Sequence, residues 1–225
     1  MHASSEKQPI VLFGGGEMAE VIRYYFTHDS IYDVVALTVD REHAGEISSD
    51  LPVVPFDEIE SRYPPDRFKM FVALSYRSVN QVRARKYAEA REKGYTLVSY
   101  VNSKSTTWPD LSIGDNCFIF ENNVIQPFVK IGSDVILWSG NHIGHHSTIH
   151  DHCFLASHIV VSGGVTIEPL TFIGVNATLR DHVRIAAECV IGAGALILKD
   201  TNPKEVYVGV AAQLHTRSSD QLRKI

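Results

Sequence analysis

From Ile113 onward an aliphatic residue recurs at every sixth position: Ile119, Ile125, Ile131, Leu137, Ile143, Ile149, Leu155, Val161, Ile167, Ile173, Leu179, Ile185, Ile191 and Ile197. No hexad breaks the series. A period of six matches neither the 3.6-residue turn of a helix nor an open-ended two-residue alternation. It matches a solenoid whose coil has three faces of six residues each, about five coils in all. The position four residues after each aliphatic one is mostly small or β-branched, from Cys117, Asn123 and Val129 to Cys189 and Ala195. That pattern predicts a second inward site beside a tight corner. All three cysteines, Cys117, Cys153 and Cys189, fall in this class, which predicts buried thiols. Three cannot all pair, and their spacing matches no zinc site. Glycine follows the aliphatic residue at Gly114, Gly132, Gly144, Gly174 and Gly192, which predicts an unusual φ there.

Residues 9–100 follow another pattern. Ile10–Phe13 is a short apolar run, then come Gly14, Gly15 and Gly16, then a helical stretch, Glu17–Thr27. A strand, a glycine turn and a helix N-terminus present backbone N–H groups to an anion. The G-x-G-x-x-G pattern carries Ala19 at its last position, a variant it tolerates, but any α/β domain can use such a turn. A second strand, Val34–Val39, ends at Asp40, about 24 positions past the turn and near the ~20 expected of an acid at a ribose hydroxyl. Phe68–Leu74 reads as a third strand. Ser75, Tyr76 and Arg77 lie at its carboxyl end, where ligands of open parallel sheets bind. Val79–Lys93 reads as a helix and Thr96–Tyr100 as a fourth strand. The order β-α-β-β-α-β implies a small parallel-rich sheet, too short for a dinucleotide but sufficient for a single nucleotide. Gly14, Gly15, Gly16, Glu17, Asp40, Ser75, Tyr76 and Arg77 are the substrate-binding candidates here.

Composition narrows the function classes. Hydrophobic residues make up 44% and charged residues 21%, an ordinary globular balance. The net charge of −5 argues against nucleic acid or an anionic membrane as the main partner. No apolar run approaches the ~20 residues of a membrane span, and the N-terminal segment lacks the pattern of a secretory signal, so a cytoplasmic location is expected. Seven of the eleven histidines lie between His142 and His182. Coil positions splay them on different faces, so no metal is expected.

The whole arrangement, from VLFGGGEMAEVI to VYVGVAA, resembles the bacterial nucleotide-sugar N-acetyltransferases that modify 4-amino-4,6-dideoxy sugars, together with the related sialic acid O-acetyltransferases. The resemblance implies a Rossmann-like nucleotide-sugar domain over 1–104, a left-handed parallel β-helix of hexapeptide repeats over 105–202, and a tail over 203–225 near the CoA nucleotide. It implies a homotrimer that uses acetyl-CoA as acyl donor and a UDP-, dTDP- or GDP-linked amino sugar as acceptor, in surface glycan biosynthesis. In the stretch Asn141-His142-Ile143-Gly144-His145-His146-Ser147, His145 falls on the family's general base and Asn141 on the substrate side. His146 stands where the family carries an acid. That leaves open whether His146 itself or a carboxylate from elsewhere orients His145. Gly163 falls on the glycine whose N–H meets the thioester carbonyl, and Val175, Ala193 and Gly194 on the pantetheine path. The family's G-V-P-A-K ending appears here with Ala211 in place of proline. The competing readings are an O-acetyltransferase acting on a sugar hydroxyl and a non-catalytic solenoid that binds a sugar nucleotide.

Overall fold

The computed structural model describes residues 7–214 and residue 216. Its N-terminal unit runs β1 (Gln8–Phe13), α1 (Glu17–His28), β2 (Tyr32–Val39), β3 (Val53–Pro55), α2 (Ile59–Arg62), β4 (Lys69–Val72) and α3 (Gln81–Glu92). The strands form one parallel sheet in the order β3-β2-β1-β4. α1 buries Ala19, Ile22 and Phe26, a spacing that makes a single apolar stripe. That stripe packs with Ile10, Leu12 and Phe71, while Val11, Phe13, Met70 and Val72 face Tyr87 and Ala90 of α3 on the other side of the sheet.

Two details differ from the sequence expectation. β3 has no signal in the hydrophobic pattern, because it is three residues long and ends in Pro55; proline is tolerated at such a sheet edge. The expected fourth strand, Thr96–Tyr100, does not join this sheet. Leu97 makes one bridge to Met70, and Tyr100 then turns away to donate its N–H to the Cys117 carbonyl, 2.8 Å, as the first rung of the coil.

From Tyr100–Val101 to Val206–Tyr207 the chain winds as a parallel β-helix with three faces. The rungs therefore begin before residue 104 and continue beyond residue 202. Each rung is two residues, and its partner lies eighteen residues along, as in Ile136–Leu137 against Phe154–Leu155, except at the end, where Val190–Ile191 pairs with Val206–Tyr207 sixteen along. The aliphatic series is at most 4% exposed from Ile119 to Ile197. The second inward series is buried as well, including all three cysteines, and burial pushes the Cys117 and Cys153 thiols up to about 12. No helix among the described residues is long and apolar enough to cross a membrane.

The corner geometry corrects the glycine expectation. The left-handed position is three residues after the aliphatic one, not one after. It holds Gly140, Gly164 and Gly194, but also Asn116, Asp134, His146, His152, His158 and His182. Asn, Asp and His are the side chains that best tolerate that region. The glycines one after the aliphatic residue answer a different demand: a Cβ on Gly144 would stand 2.6 Å from the Ser162 carbonyl carbon of the next coil.

The three faces differ in what covers them. One presents Phe118, Ile136, Phe154 and Phe172 to the N-terminal unit, where Phe118 meets Phe26 and Phe71 edge-on. A second, the bare face, presents Val124, His142, Val160, Thr178 and Leu196, with Val124 and Val160 each 40% and Leu196 61% exposed. The third is polar, with Ser112, Lys130, Thr148, Thr166 and Arg184 outward.

A buried polar clamp fixes the unit on the coil. Arg83, on the buried stripe of α3, is 0% exposed and meets the equally buried Asp134 at 3.1 Å. Its remaining N–H groups donate to the carbonyls of Ser75, Asp134, His152 and Cys153 and to Asn80 Oδ1. Asp134 also accepts from Asn116 Nδ2 at 2.7 Å and contacts His152 Nδ1 at 2.8 Å. Asn116 Oδ1 in turn accepts the Val72 N–H of β4. Removing one partner of such a pair strands the other charge in the interior. Arg83→Met should therefore cost about 3–5 kcal/mol in urea unfolding. Adding Asp134→Asn, which keeps a side chain suited to the left-handed corner, should recover most of that loss. A single-variant loss below about 1 kcal/mol, the value of an exposed pair, would remove the clamp from this account.

Candidate active site

The strand order places β2 and β4 on opposite sides of β1, so the chain reverses direction across the sheet between β1 and β4. Open parallel sheets hold ligands beyond the carboxyl ends of the strands at such a point. A cleft of about 910 Å³ opens there, between the unit and the coil. Gly16, Glu17, Ala73, Leu74, Ser75 and Tyr76 form one wall; Trp138, Phe154, Ser157, Phe172, Gly174, Val175 and Ala193 form the other. Its size lies within the range of small-ligand sites, ~300–1,000 Å³.

Local structure sets each wall. Gly14 has φ +135, and a Cβ on it would stand 2.8 Å from the Ala73 carbonyl, so the turn after β1 presses directly on the end of β4. Gly15 is covered by the Ile47 side chain, which leaves Gly16, at the N-cap of α1, as the glycine that opens on the cleft. Tyr76 precedes three consecutive left-handed residues, Ser78, Val79 and Asn80. For the β-branched Val79 that conformation costs about 1–3 kcal/mol and needs outside support. Asn80 supplies it by donating to the Leu170 and Thr171 carbonyls at 3.0 and 3.2 Å, next to Arg83. The result holds the Tyr76 ring against Phe154 and Phe172, with centroids 5.0 and 4.7 Å apart, while half of the residue stays exposed. Trp138 lies flat on Phe120 at 4.4 Å.

The coil supplies donors. The residue two after each aliphatic one, where it is not proline, has an N–H that takes no backbone partner in a rung. At the other two corners a side chain closes it at four positions: the Asp115 N–H meets Ser133 Oγ, the Ser133 N–H meets Asp151 Oδ1, the His145 N–H meets Gln126 Oε1, and the Gly163 N–H meets Asp181 Oδ1, while those of Asp151, Asp181 and Ala187 have no acceptor among the described residues. At the cleft corner the equivalent residues are Ser157, Val175 and Ala193. Among the described residues their N–H groups have no acceptor. They form a column of open donors along the cleft, one per coil.

His145 and His146 lie elsewhere, at the corner between the bare and polar faces, both exposed. The His145 ring rests on Gly163, where a Cβ would stand 2.7 Å from its Cε1. Its Nδ1 is 3.1 Å from His146 Nδ1, and His146 packs on Phe128 at 4.7 Å. Within one chain the bare face separates this pair from the cleft.

Several sequence expectations change here. The Gly163 N–H is engaged by Asp181 at 3.0 Å, so it is not open to a thioester carbonyl; the glycine instead makes a seat for His145. Asn141 is 1% exposed inside the coil, where its Oδ1 accepts the Ile159 N–H and its Nδ2 donates to the Trp138 carbonyl, so it cannot meet a substrate. Gly194 lies just behind Ala193, its N–H on the Val175 carbonyl. Arg77 is exposed and outside the cleft wall. Asp40 stands on the α3 side of the sheet, with its carboxylate 2.6 Å from Lys86 Nζ in a separate cleft that Phe56 and Asp57 also line. Burial alone would lower the Lys86 ammonium, but Asp40 and Glu89 outweigh it and hold it above its usual value. Of the tail expected over 203–225, residue 215 and those after 216 lie outside the described residues. Phe128, Gln126, Trp138 and Ser157 complete these surroundings. Phe128 had a readable signal, since a phenylalanine occupies a hexad position that elsewhere favours Asn, Asp, His or Gly.

Residues 110–145 match the family model described as bacterial transferase hexapeptide (six repeats). No curated protein matches the chain. Among solved structures, a mutant perosamine N-acetyltransferase from Caulobacter crescentus, in complex with CoA and GDP-perosamine, is similar with a TM-score of 0.81 and 23% identity, over 95% of this chain and 99% of that one. The acetyltransferase domain of PglB from Neisseria gonorrhoeae FA1090, in complex with acetyl coenzyme A, gives 0.79 and 18%, over 90% and 97%. WeeI from Acinetobacter baumannii AYE gives 0.68 and 18%, again over 90% and 97%. The fold is shared across nearly the full length of each.

The placement of Asp40 yields a prediction. Asp40→Ala should leave nucleotide-sugar affinity, measured by calorimetry, within about twofold, and lower stability by the ~1 kcal/mol of a partly exposed ion pair. A tenfold loss of affinity would return Asp40 to the ligand site.

Proposed function

We propose that this protein is an acetyl-CoA-dependent N-acetyltransferase that acts on the amine of a nucleotide-linked amino-deoxy sugar. The observation that carries the reading is the cleft itself, which joins the carboxyl ends of β1 and β4 to the open donor column of Val175 and Ala193. In this reading the N-terminal unit is Rossmann-like and the coil is a left-handed β-helix. Neighbours of the same fold are described with CoA, acetyl coenzyme A and GDP-perosamine, which supports a donor and an acceptor of these classes.

The column suits a pantetheine arm. Its amide carbonyls need backbone donors, and coil spacing repeats at about 4.8 Å. The nucleotide sugar takes the other wall, with its diphosphate near Gly16 at the helix N-terminus and its sugar against Ser75 and Tyr76. Glu17, in the first turn of α1, supplies a carboxylate that suits an amine-bearing sugar.

His145 is the base in this scheme. The amine lone pair forms the C–N bond at the thioester carbonyl, the C–S bond breaks, and the amine proton passes through His145 Nε2 to the departing thiolate. Within one chain the bare face keeps His145 from the cleft, so the reaction needs a second copy. A homotrimer in which bare faces meet neighbours supplies it: the histidine corner of one chain then faces the cleft corner of the next. The exposed Val124, Val160 and Leu196 are the contacts such packing would bury. Synthesis of surface glycans, in the cytoplasm, is the setting in which such a substrate arises.

His145→Ala should lower kcat by the ~10²–10⁴ of a lost general base, with little change in KM, when CoA release is followed with GDP-, UDP- and dTDP-linked amino sugars. Full turnover in that variant would remove the mechanism. Light scattering of the active protein should give three chains of 25.0 kDa each. An active monomer would remove the shared site.

A further inference from the structure

Phe128 combines two unfavourable features. Its φ is +66, the left-handed value that the coil imposes at this corner position and that costs a bulky side chain, Leu170 being the other large apolar residue so placed, and it is 63% exposed. Strain of this kind persists where surrounding structure holds it in place, and it clusters at functional sites. What the ring touches is His146. The same hexad, Gln126-Pro127-Phe128, grips the histidine pair at two more points: Gln126 Oε1 accepts the His145 N–H at 2.8 Å, and the Pro127 carbonyl accepts the His146 N–H at 3.3 Å. On the other side His145 rests on Gly163, and its carbonyl accepts the Gly164 N–H at 2.8 Å.

We propose that Phe128 and His146 are positioning residues that hold His145 in the tautomer with the proton on Nδ1 and the lone pair on Nε2. This rests on His145 being the base. An Nδ1 to Nδ1 contact of 3.1 Å between neutral rings requires one donor and one acceptor. If His146 donates, His145 carries its proton on Nε2 and offers no lone pair to a substrate. If His146 accepts, His145 is poised to take a proton on Nε2, and its Nδ1–H keeps an acceptor while the ring becomes cationic. A second imidazole then does what a carboxylate does beside other catalytic histidines: it fixes the tautomer and the ring plane. Phe128 packs on the accepting ring and limits its rotation.

Nitrogen NMR of the histidine-labelled protein tests this without any substrate. His145 should show the Nδ1–H pattern in the native chain and a tautomer mixture in His146→Asn, whose side chain tolerates the left-handed corner but is too short to reach. In kinetics, His146→Asn and Phe128→Asn should each lower kcat about tenfold or more with KM changed less than about twofold. Phe128→Asn should also raise the melting temperature, because it relieves the strain; a merely structural Phe128 would lower it. His146→Glu should restore kcat, since its carboxylate can accept the same proton. A native Nε2–H spectrum for His145, or kcat within twofold in both asparagine variants while His145→Ala is inactive, would overturn the proposal. Activity in His145→Ala would defeat the catalytic reading instead, and the spectra would still decide the tautomer.

Discussion

The buried pair of Arg83 and Asp134 is the contact on which the rest of the molecule depends. A β-helix and a small α/β unit can each bury an apolar core, but neither core specifies how the two sit together. The aromatic contact between them, built from Phe26, Phe71 and Phe118, is adaptable in register. The guanidinium is not adaptable: its donors meet four carbonyls, Asn80 and Asp134 in one geometry only. Arg83 thereby ties the end of β4 to the corner that carries Asp134 and His152. It also ties down Ser75, and through Asn80 the left-handed turn behind Tyr76. One wall of the cleft is positioned by a contact made at the opposite edge of the same face.

The coil works by a second constraint, the eighteen-residue register. Each corner repeats the same backbone, so each leaves the same N–H without a rung partner. What fills it is decided by the side chain one coil away. Aspartate, serine and glutamine close it at four positions on two corners; along the third, Ser157, Val175 and Ala193 have no such neighbour among the described residues. Along the cleft edge this leaves three successive N–H groups without an acceptor among the described residues.

Much of this was legible in the sequence. Fifteen hexads in register allowed one architecture, and the small inward series placed the cysteines inside. Gly16, Ser75 and Tyr76, expected from a helix N-terminus and a strand end, and Val175 and Ala193, expected from the resemblance, all line the cleft. What misled was side-chain direction. Asn141 sits beside the histidines in the sequence, yet it is the inward residue of its hexad and serves the backbone of its neighbours. Asp40 follows the right strand at nearly the right distance, but Lys86, on the buried stripe of an otherwise polar helix, draws it to the far side of the sheet. The hexad glycines suggest an unusual φ at the corner, whereas the demand they meet is close approach between coils. Arg83 was unreadable because a charged residue on a polar helix gives no periodic signal of burial.

The separation of the histidine pair from the cleft follows from the prism. A triangular coil presents its three corners in three directions, so residues on different corners cannot converge within one chain. The donor column and the His145–His146 pair occupy the two corners that flank the bare face. That face carries exposed valines and a leucine instead of the polar residues of its neighbour. A surface with such a stripe gains by being covered, and in the proposed trimer a second prism on it would bring the second corner to the first. In the proposed reading, with His145 as base, separating it from the cleft across this face ties chemistry to assembly: the contact that would hide the stripe is also the one that would complete the site.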